Sequence, residues 1–123
     1  MPKKKLLIIE DDRLLSSLLV NHMEKEGFDV LIATNAKGGM KKALKEHPNL
    51  ILLDIMMPGM DGLTMLSKLR MDKWGSKVPV VLLSNFSDPY KVKRAQKYKA
   101  DDYILKAEAQ LSDIVRKVKE KIS

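Results

Sequence analysis

The sequence contains no cysteine, which removes disulfides, thiolate metal sites and cysteine nucleophiles and fits a reducing compartment. Its two histidines are too few for a histidine-built metal centre. Aromatic residues make up 5% of the chain, so there is little to stack nucleic-acid bases among the basic residues. Apolar runs are short and have charges close by, and the basic start MPKKK passes straight into LLIIEDD. That pattern predicts neither a membrane-spanning helix nor a signal peptide, and hence a cytoplasmic chain with no membrane partner. A glycine-rich phosphate loop is missing too. The first apolar run leads into the acidic IIEDDRLL, which would repel phosphate without a metal and argues against a nucleotide- or flavin-binding domain.

What remains is a chain of 123 residues, 45% of them hydrophobic, enough to fill one core without staples. A single domain over residues 1–123 is expected. Lys and Arg number 23 against 16 Asp and Glu, a formal charge of +7, which raises the question of an acidic partner. The basic residues are spread over Lys3 to Lys5, Lys37 to Lys45, Lys91 to Lys99 and Arg116 to Lys121. This dispersal suits a solvated helical surface better than a nucleic-acid interface, and no direct nucleic-acid contact is expected.

Short, unbroken apolar runs occur at Leu6 to Ile9, Val30 to Ala33, Leu50 to Leu53 and Val80 to Leu83, with a shorter one at Tyr103 to Leu105. Continuous runs predict strands covered on both faces, as in a parallel sheet. Between them the spacing turns helical. Leu14, Leu15, Leu18, Leu19 and Met23 form one stripe, Leu63, Leu66 and Leu69 a second, and Leu111, Ile114, Val115, Val118 and Ile122 a third. The segments from Ala36 to His47 and from Asp88 to Tyr98 are more polar helices, and Gly27, Pro48, Gly75 and Pro79 mark the stops. The order is (βα) five times, which predicts a three-layer, doubly wound α/β fold with a five-stranded parallel sheet and right-handed crossovers.

In such sheets ligands bind outside the carboxyl ends of the strands. Here those ends carry Glu10, Asp11 and Asp12 after the first strand, Asp54 after the third, Ser84 after the fourth and Lys106 after the fifth. Carboxylates brought together on one rim repel unless a proton or a cation intervenes. An oxygen-only donor set suits Mg²⁺, with Mn²⁺ as a substitute. A lysine, a dication, a hydroxyl and a carboxylate together make a site that can receive a phosphoryl group.

The segments IIEDD, LLDIMMPGMDG, LLS and DDYILK, in this order and spacing, resemble the receiver domain of two-component response regulators over essentially the whole chain. The resemblance implies the flavodoxin-like strand order 2-1-3-4-5. It implies that Asp54 is the phosphoacceptor, taking a phosphoryl group from a histidine kinase or phosphotransfer protein, and that Asp11, Glu10, Asp54 and the Met56 backbone carbonyl form the metal site. It implies further that Ser84 and Lys106 hold phosphoryl oxygens, that Tyr103 is the aromatic switch, and that Met56, Asn85 and Phe86 flank the phosphoryl group. The face built from the fourth helix, fifth strand and fifth helix would dock a target or output domain, with Lys91, Lys93, Arg94, Lys97 and Lys99 on it. Such a domain modifies itself and turns over no separate substrate.

Several positions depart from that pattern or have simpler explanations. Lys106 is followed by Ala107 where the family usually has proline, and Asn85 stands where it has a small residue. Met56 and Phe86 are both apolar, so neither orients an attacking water and a long-lived phosphorylated state is expected. Asp12 and Asp61 suit helix caps, Tyr103 suits an edge aromatic, and Met56, Met57 and Met60 suit loop and core filling. A domain that keeps the fold but serves as a phosphorylation-independent interaction module is the alternative. No output segment follows Ser123 in the sequence, which fits either a stand-alone receiver or one excised from a longer protein.

Overall fold

The computed structural model describes residues 3–85 and 88–122. The elements alternate as β1 (Lys5–Ile9), α1 (Arg13–Lys25), β2 (Asp29–Ala33), α2 (Ala36–Glu46), β3 (Leu50–Asp54), α3 (Gly62–Leu69), β4 (Val80–Ser84), α4 (Pro89–Lys97), β5 (Asp102–Leu105) and α5 (Leu111–Lys121). All strand pairings are parallel and the sheet order is β2-β1-β3-β4-β5, as expected from the alternating pattern and the resemblance.

Because strand side chains alternate between faces, each central apolar run feeds two cores at once. Leu7, Ile9, Ile51, Leu53, Val80 and Leu82 face a layer made by α2, α3 and α4. Leu6, Ile8, Leu50, Leu52, Val81 and Leu83 face α1 and α5. Every residue of β3 and β4 is buried, whereas the edge strands β2 and β5 keep exposed or half-exposed positions. Burial of both faces is what makes continuous rather than alternating hydrophobicity the right sequence signal for these strands.

Local chemistry sets the helix starts. Asp12 accepts from Leu14 and Leu15 N–H at the head of α1, Asn35 from Gly38 at α2, Asp61 from Thr64 at α3 and Asp88 from Tyr90 at α4. Gln110 and Asp113 form a reciprocal capping box on α5. The expected α1 stripe is narrower than its sequence suggests. Leu19 and Met23 are buried, but Leu14 is 71% and Leu18 42% exposed, because α1 packs through the side that carries Leu15, Leu19 and Met23 and Leu14 and Leu18 lie on its flank. None of the described helices is long and apolar enough to cross a membrane.

Candidate functional site

The site lies where β1, β3, β4 and β5 end. Glu10 continues past β1, its N–H donating to the Ala33 carbonyl at 3.0 Å. Asp54 is the last residue of β3, one position beyond the expected strand end, and Ser84 is the last of β4. Glu10, Asp54 and Ser84 are all buried. The Lys106 N–H donates to the Ser84 carbonyl at 2.8 Å, which ties the turn after β5 to the end of β4 and aims the lysine across the rim.

A glycine fixes the exit from Asp54. The Gly62 N–H donates to the Ile55 carbonyl at 2.9 Å, and a Cβ on Gly62 would lie 2.5 Å from the Asp54 carbonyl oxygen and 2.8 Å from the Ile55 Cα. These are backbone atoms that cannot swing away, so only glycine lets α3 start this close to the strand end. Gly59, at φ +82°, makes the turn between them.

Three carboxylates meet on this rim. Ligand oxygens of Glu10, Asp11 and Asp54 all lie within 4.8 Å of one another. Lys106 Nζ lies 2.7 Å from Glu10 Oε1 and 3.2 Å from Asp54 Oδ2. The other oxygens of the two buried acids accept backbone N–H groups, Glu10 Oε2 from Asp12 at 3.0 Å and Asp54 Oδ1 from Met56 at 3.1 Å. Glu10 Oε1 is thus ion-paired yet has no well-directed hydrogen bond among the described residues. Burial pushes the Glu10 pKa up to about 7 from 4.5, and the nearby Asp54 adds to the rise, although Lys106 and the Asp12 N–H work against it. Burial alone would lower the Lys106 pKa. Its pairing with Glu10 and Asp54 outweighs that and holds the ammonium above the ordinary lysine value.

This donor set fits a hard divalent cation. It offers carboxylate oxygens from Glu10, Asp11 and Asp54, no sulfur or imidazole, and an excess of negative charge that one lysine does not offset. The incompletely bonded Glu10 Oε1 and the raised Glu10 pKa are what a site poised for further positive charge would show.

The family model for the response regulator receiver domain matches residues 6–119. The chain belongs to this family. This receiver domain is 36% identical over 102 residues to the response regulator ArlR of Staphylococcus saprophyticus, an alignment covering 83% of this chain and 45% of ArlR. Its fold matches a CheY-like receiver domain protein from Methanospirillum hungatei with a TM-score of 0.91 at 29% identity, covering 98% of this chain and 94% of the other. It also matches the BeF3-activated N-terminal receiver domain of Klebsiella pneumoniae RstA with a TM-score of 0.86 at 28% identity, covering 97% and 98%. The chain spans about half the length of the curated relatives it matches, some of which are named transcriptional or DNA-binding regulators.

The structure brings Glu10, Asp11, Asp54, Ser84 and Lys106 of the receiver to one rim, with Asn85 exposed beside it and Tyr103 half-buried on β5. The Met56 side chain is 41% exposed. Phe86 lies outside the described residues. No peptide bond among the described residues is cis, so Lys106–Ala107 is trans, and Lys106 reaches both carboxylates regardless. Glu10 touches Lys106 directly, a contact its sequence position does not reveal. Two further residues lack any such signal. Lys91, which lies on α4 as expected, sends its ammonium to Met56 Sδ at 2.9 Å. Arg70, at the end of α3, donates to four backbone carbonyls, those of Tyr98, Gly75, Val78 and Lys99, at 2.7 to 2.9 Å.

Proposed function

We propose that this receiver domain accepts a phosphoryl group on Asp54, in a reaction that depends on a divalent cation such as Mg²⁺, and that it passes the resulting signal on through a change of surface. The observation that carries the proposal is the single ammonium of Lys106 shared between Asp54 and Glu10 beside Asp11. A purely structural site would match its charges, whereas this one concentrates acids around a carboxylate at an open strand end.

In the transfer, an Asp54 carboxylate oxygen attacks phosphorus as the bond to the donor breaks, and the carboxylate becomes an acyl phosphate. A phosphohistidine donor leaves as imidazole. The Met56 N–H on Oδ1 holds the carboxylate in one orientation, which supplies the positioning on which this chemistry depends. Lys106 offsets charge on the phosphoryl oxygens as it does on the carboxylate. A divalent cation held by Glu10, Asp11 and Asp54, with the Met56 carbonyl as a further donor, would add neutralising charge at the same oxygens. The Ser84 hydroxyl then donates to a phosphoryl oxygen, and Tyr103, the next strand's aromatic, follows the Ser84 loop. The Met56 thioether is too weak an acceptor to orient an attacking water on that flank, so the modified state is long lived.

The domain acts as one unit whose partner is a histidine kinase or phosphotransfer protein, and it modifies itself rather than turning over a separate substrate. The similar RstA receiver, described as BeF3-activated, supports using the same phosphoryl mimic here. NMR spectra with beryllium fluoride should change around Asp54, Ser84 and α4 in wild type with Mg²⁺, and should not change in Asp54→Asn. Equal spectra for the two proteins would sink the proposal and favour an interaction module that works without phosphorylation.

A further inference from the structure

Lys91 sits in the first turns of α4 and donates to Met56 Sδ at 2.9 Å. A thioether is a weak, uncharged acceptor, a poor match for an ammonium. Among the described residues Lys91 has no carboxylate within ion-pair distance, although six other lysines and arginines do. Met56 is also the residue whose N–H holds Asp54 Oδ1. A chain of contacts therefore runs from Asp54 through Met56 to α4, and its last member is a cation without an anion.

Charge and space both favour movement of that cation. Phosphorylation of Asp54 adds about one negative charge to a rim that already holds Glu10 and Asp11. Lys106 is committed to Glu10 and Asp54, and even with a divalent cation bound, about one negative charge is left over. Lys91 borders a cleft of about 250 Å³ between the β3–α3 loop and α4, together with Met56, Met57, Asp61 and Arg94. Helix α4 is lightly held, with Ala95 as its one buried residue, so a small shift of its first turn disturbs little packing.

We propose that Lys91 is a second phosphoryl-sensing cation: on phosphorylation of Asp54 it leaves the Met56 thioether for the phosphoryl oxygens and draws the first turn of α4 toward the β3–α3 loop. This positioning role rests on Asp54 being the phosphoacceptor, and it gives α4 a link to the site that is separate from Ser84 and Tyr103.

The test is titration of beryllium fluoride with Mg²⁺ into wild type, Lys91→Gln and Lys91→Arg, read by NMR of the lysine ammonium groups and of α4 amides. In wild type one lysine ammonium signal, absent from Lys91→Gln, should shift on binding. Lys91→Gln should bind the mimic about threefold more weakly at low salt, with the deficit shrinking at high salt, and Lys91→Arg should restore the affinity. A merely structural role would move neither the ammonium signal nor the salt dependence. If wild type responds through Asp54 but Lys91→Gln shows the same affinity and the same α4 shifts, the inference fails and the phosphoacceptor reading stands. If wild type does not respond at all, both fall.

Discussion

Two half-buried cations, one at each end of the sheet, make an instructive pair. Lys106, at the carboxyl ends of the strands, is 15% exposed at its side chain, and Arg70, at the opposite end, is 11% exposed. Arg70 spends its donors on four neutral carbonyls drawn from the loops after α3 and α4, with Asp101 at 3.8 Å as a minor partner. Burial is the larger influence on it and lowers its pKa, with Asp101 working the other way. Lys106 faces two carboxylates, and their charge raises its pKa in spite of burial. The arginine closes a set of hydrogen bonds and holds two loops together. The lysine is outnumbered by acids and leaves its surroundings ready for more positive charge. A satisfied cation stabilises, and an oversubscribed one marks the place where charge arrives and departs.

That contrast can be broken in several ways. The largest expected effect is at the acid end. Asp54→Asn should abolish phosphoryl uptake while leaving thermal stability unchanged or raised, since it removes one of the crowded charges. A melting curve with a large downward shift would mean that Asp54 serves the fold instead. At the other end, Arg70→Ala should cost about 2–4 kcal/mol in urea denaturation, because it strips four carbonyls, three of them in part-buried hydrogen bonds, of their donors, and it should leave uptake at Asp54 intact below the melting range. A destabilisation under about 0.5 kcal/mol would show that the clamp is incidental.

A third effect sharpens the account through pH. The folded-state pKa of Glu10, at about 7, lies above its ordinary 4.5, so between these values the folded protein binds more protons than the unfolded chain. Stability of the metal-free receiver should therefore fall as pH rises through that window, by about 2 kcal/mol. Glu10→Gln should flatten this slope in melts run with a chelator at pH 5 and pH 7.5. A slope as steep in the variant as in wild type would assign the pH dependence to other groups. The smallest effect is metal itself. Mg²⁺ at tenfold its dissociation constant should stabilise the wild type by about 1.4 kcal/mol at pH 7.5, and at the same concentration it should stabilise Asp11→Asn less. Equal shifts for both proteins would remove Asp11 from the metal site.

The sequence shows much of the frame and less of the wiring. Runs such as Leu50 to Leu53 are legible because both faces of a central strand are buried, and Asp12 and Asp61 are legible as caps because their function depends only on N–H groups two or three residues away. Asp54 and Lys106 stand out once parallel strand order places their ends on one rim. The Arg70 clamp is illegible because its acceptors are backbone carbonyls, two of them 28 and 29 residues distant, and a backbone carbonyl leaves no trace in residue identity. The exposure of Leu14 and Leu18 is hidden for a related reason, since helical spacing gives a stripe but not how much of its width the neighbouring elements cover. Lys91 reads as one more surface lysine until the β3–α3 loop is seen to bring Met56 beneath it.

The oversubscribed end is tested most directly by intact-mass measurement after incubation with a small-molecule phosphodonor, with and without Mg²⁺, on wild type and Asp54→Asn. A gain of one phosphoryl group by wild type, dependent on Mg²⁺ and absent from Asp54→Asn, is the predicted result. A gain that survives in Asp54→Asn, or that does not depend on Mg²⁺, would contradict the account of this rim as a metal-assisted phosphoryl acceptor.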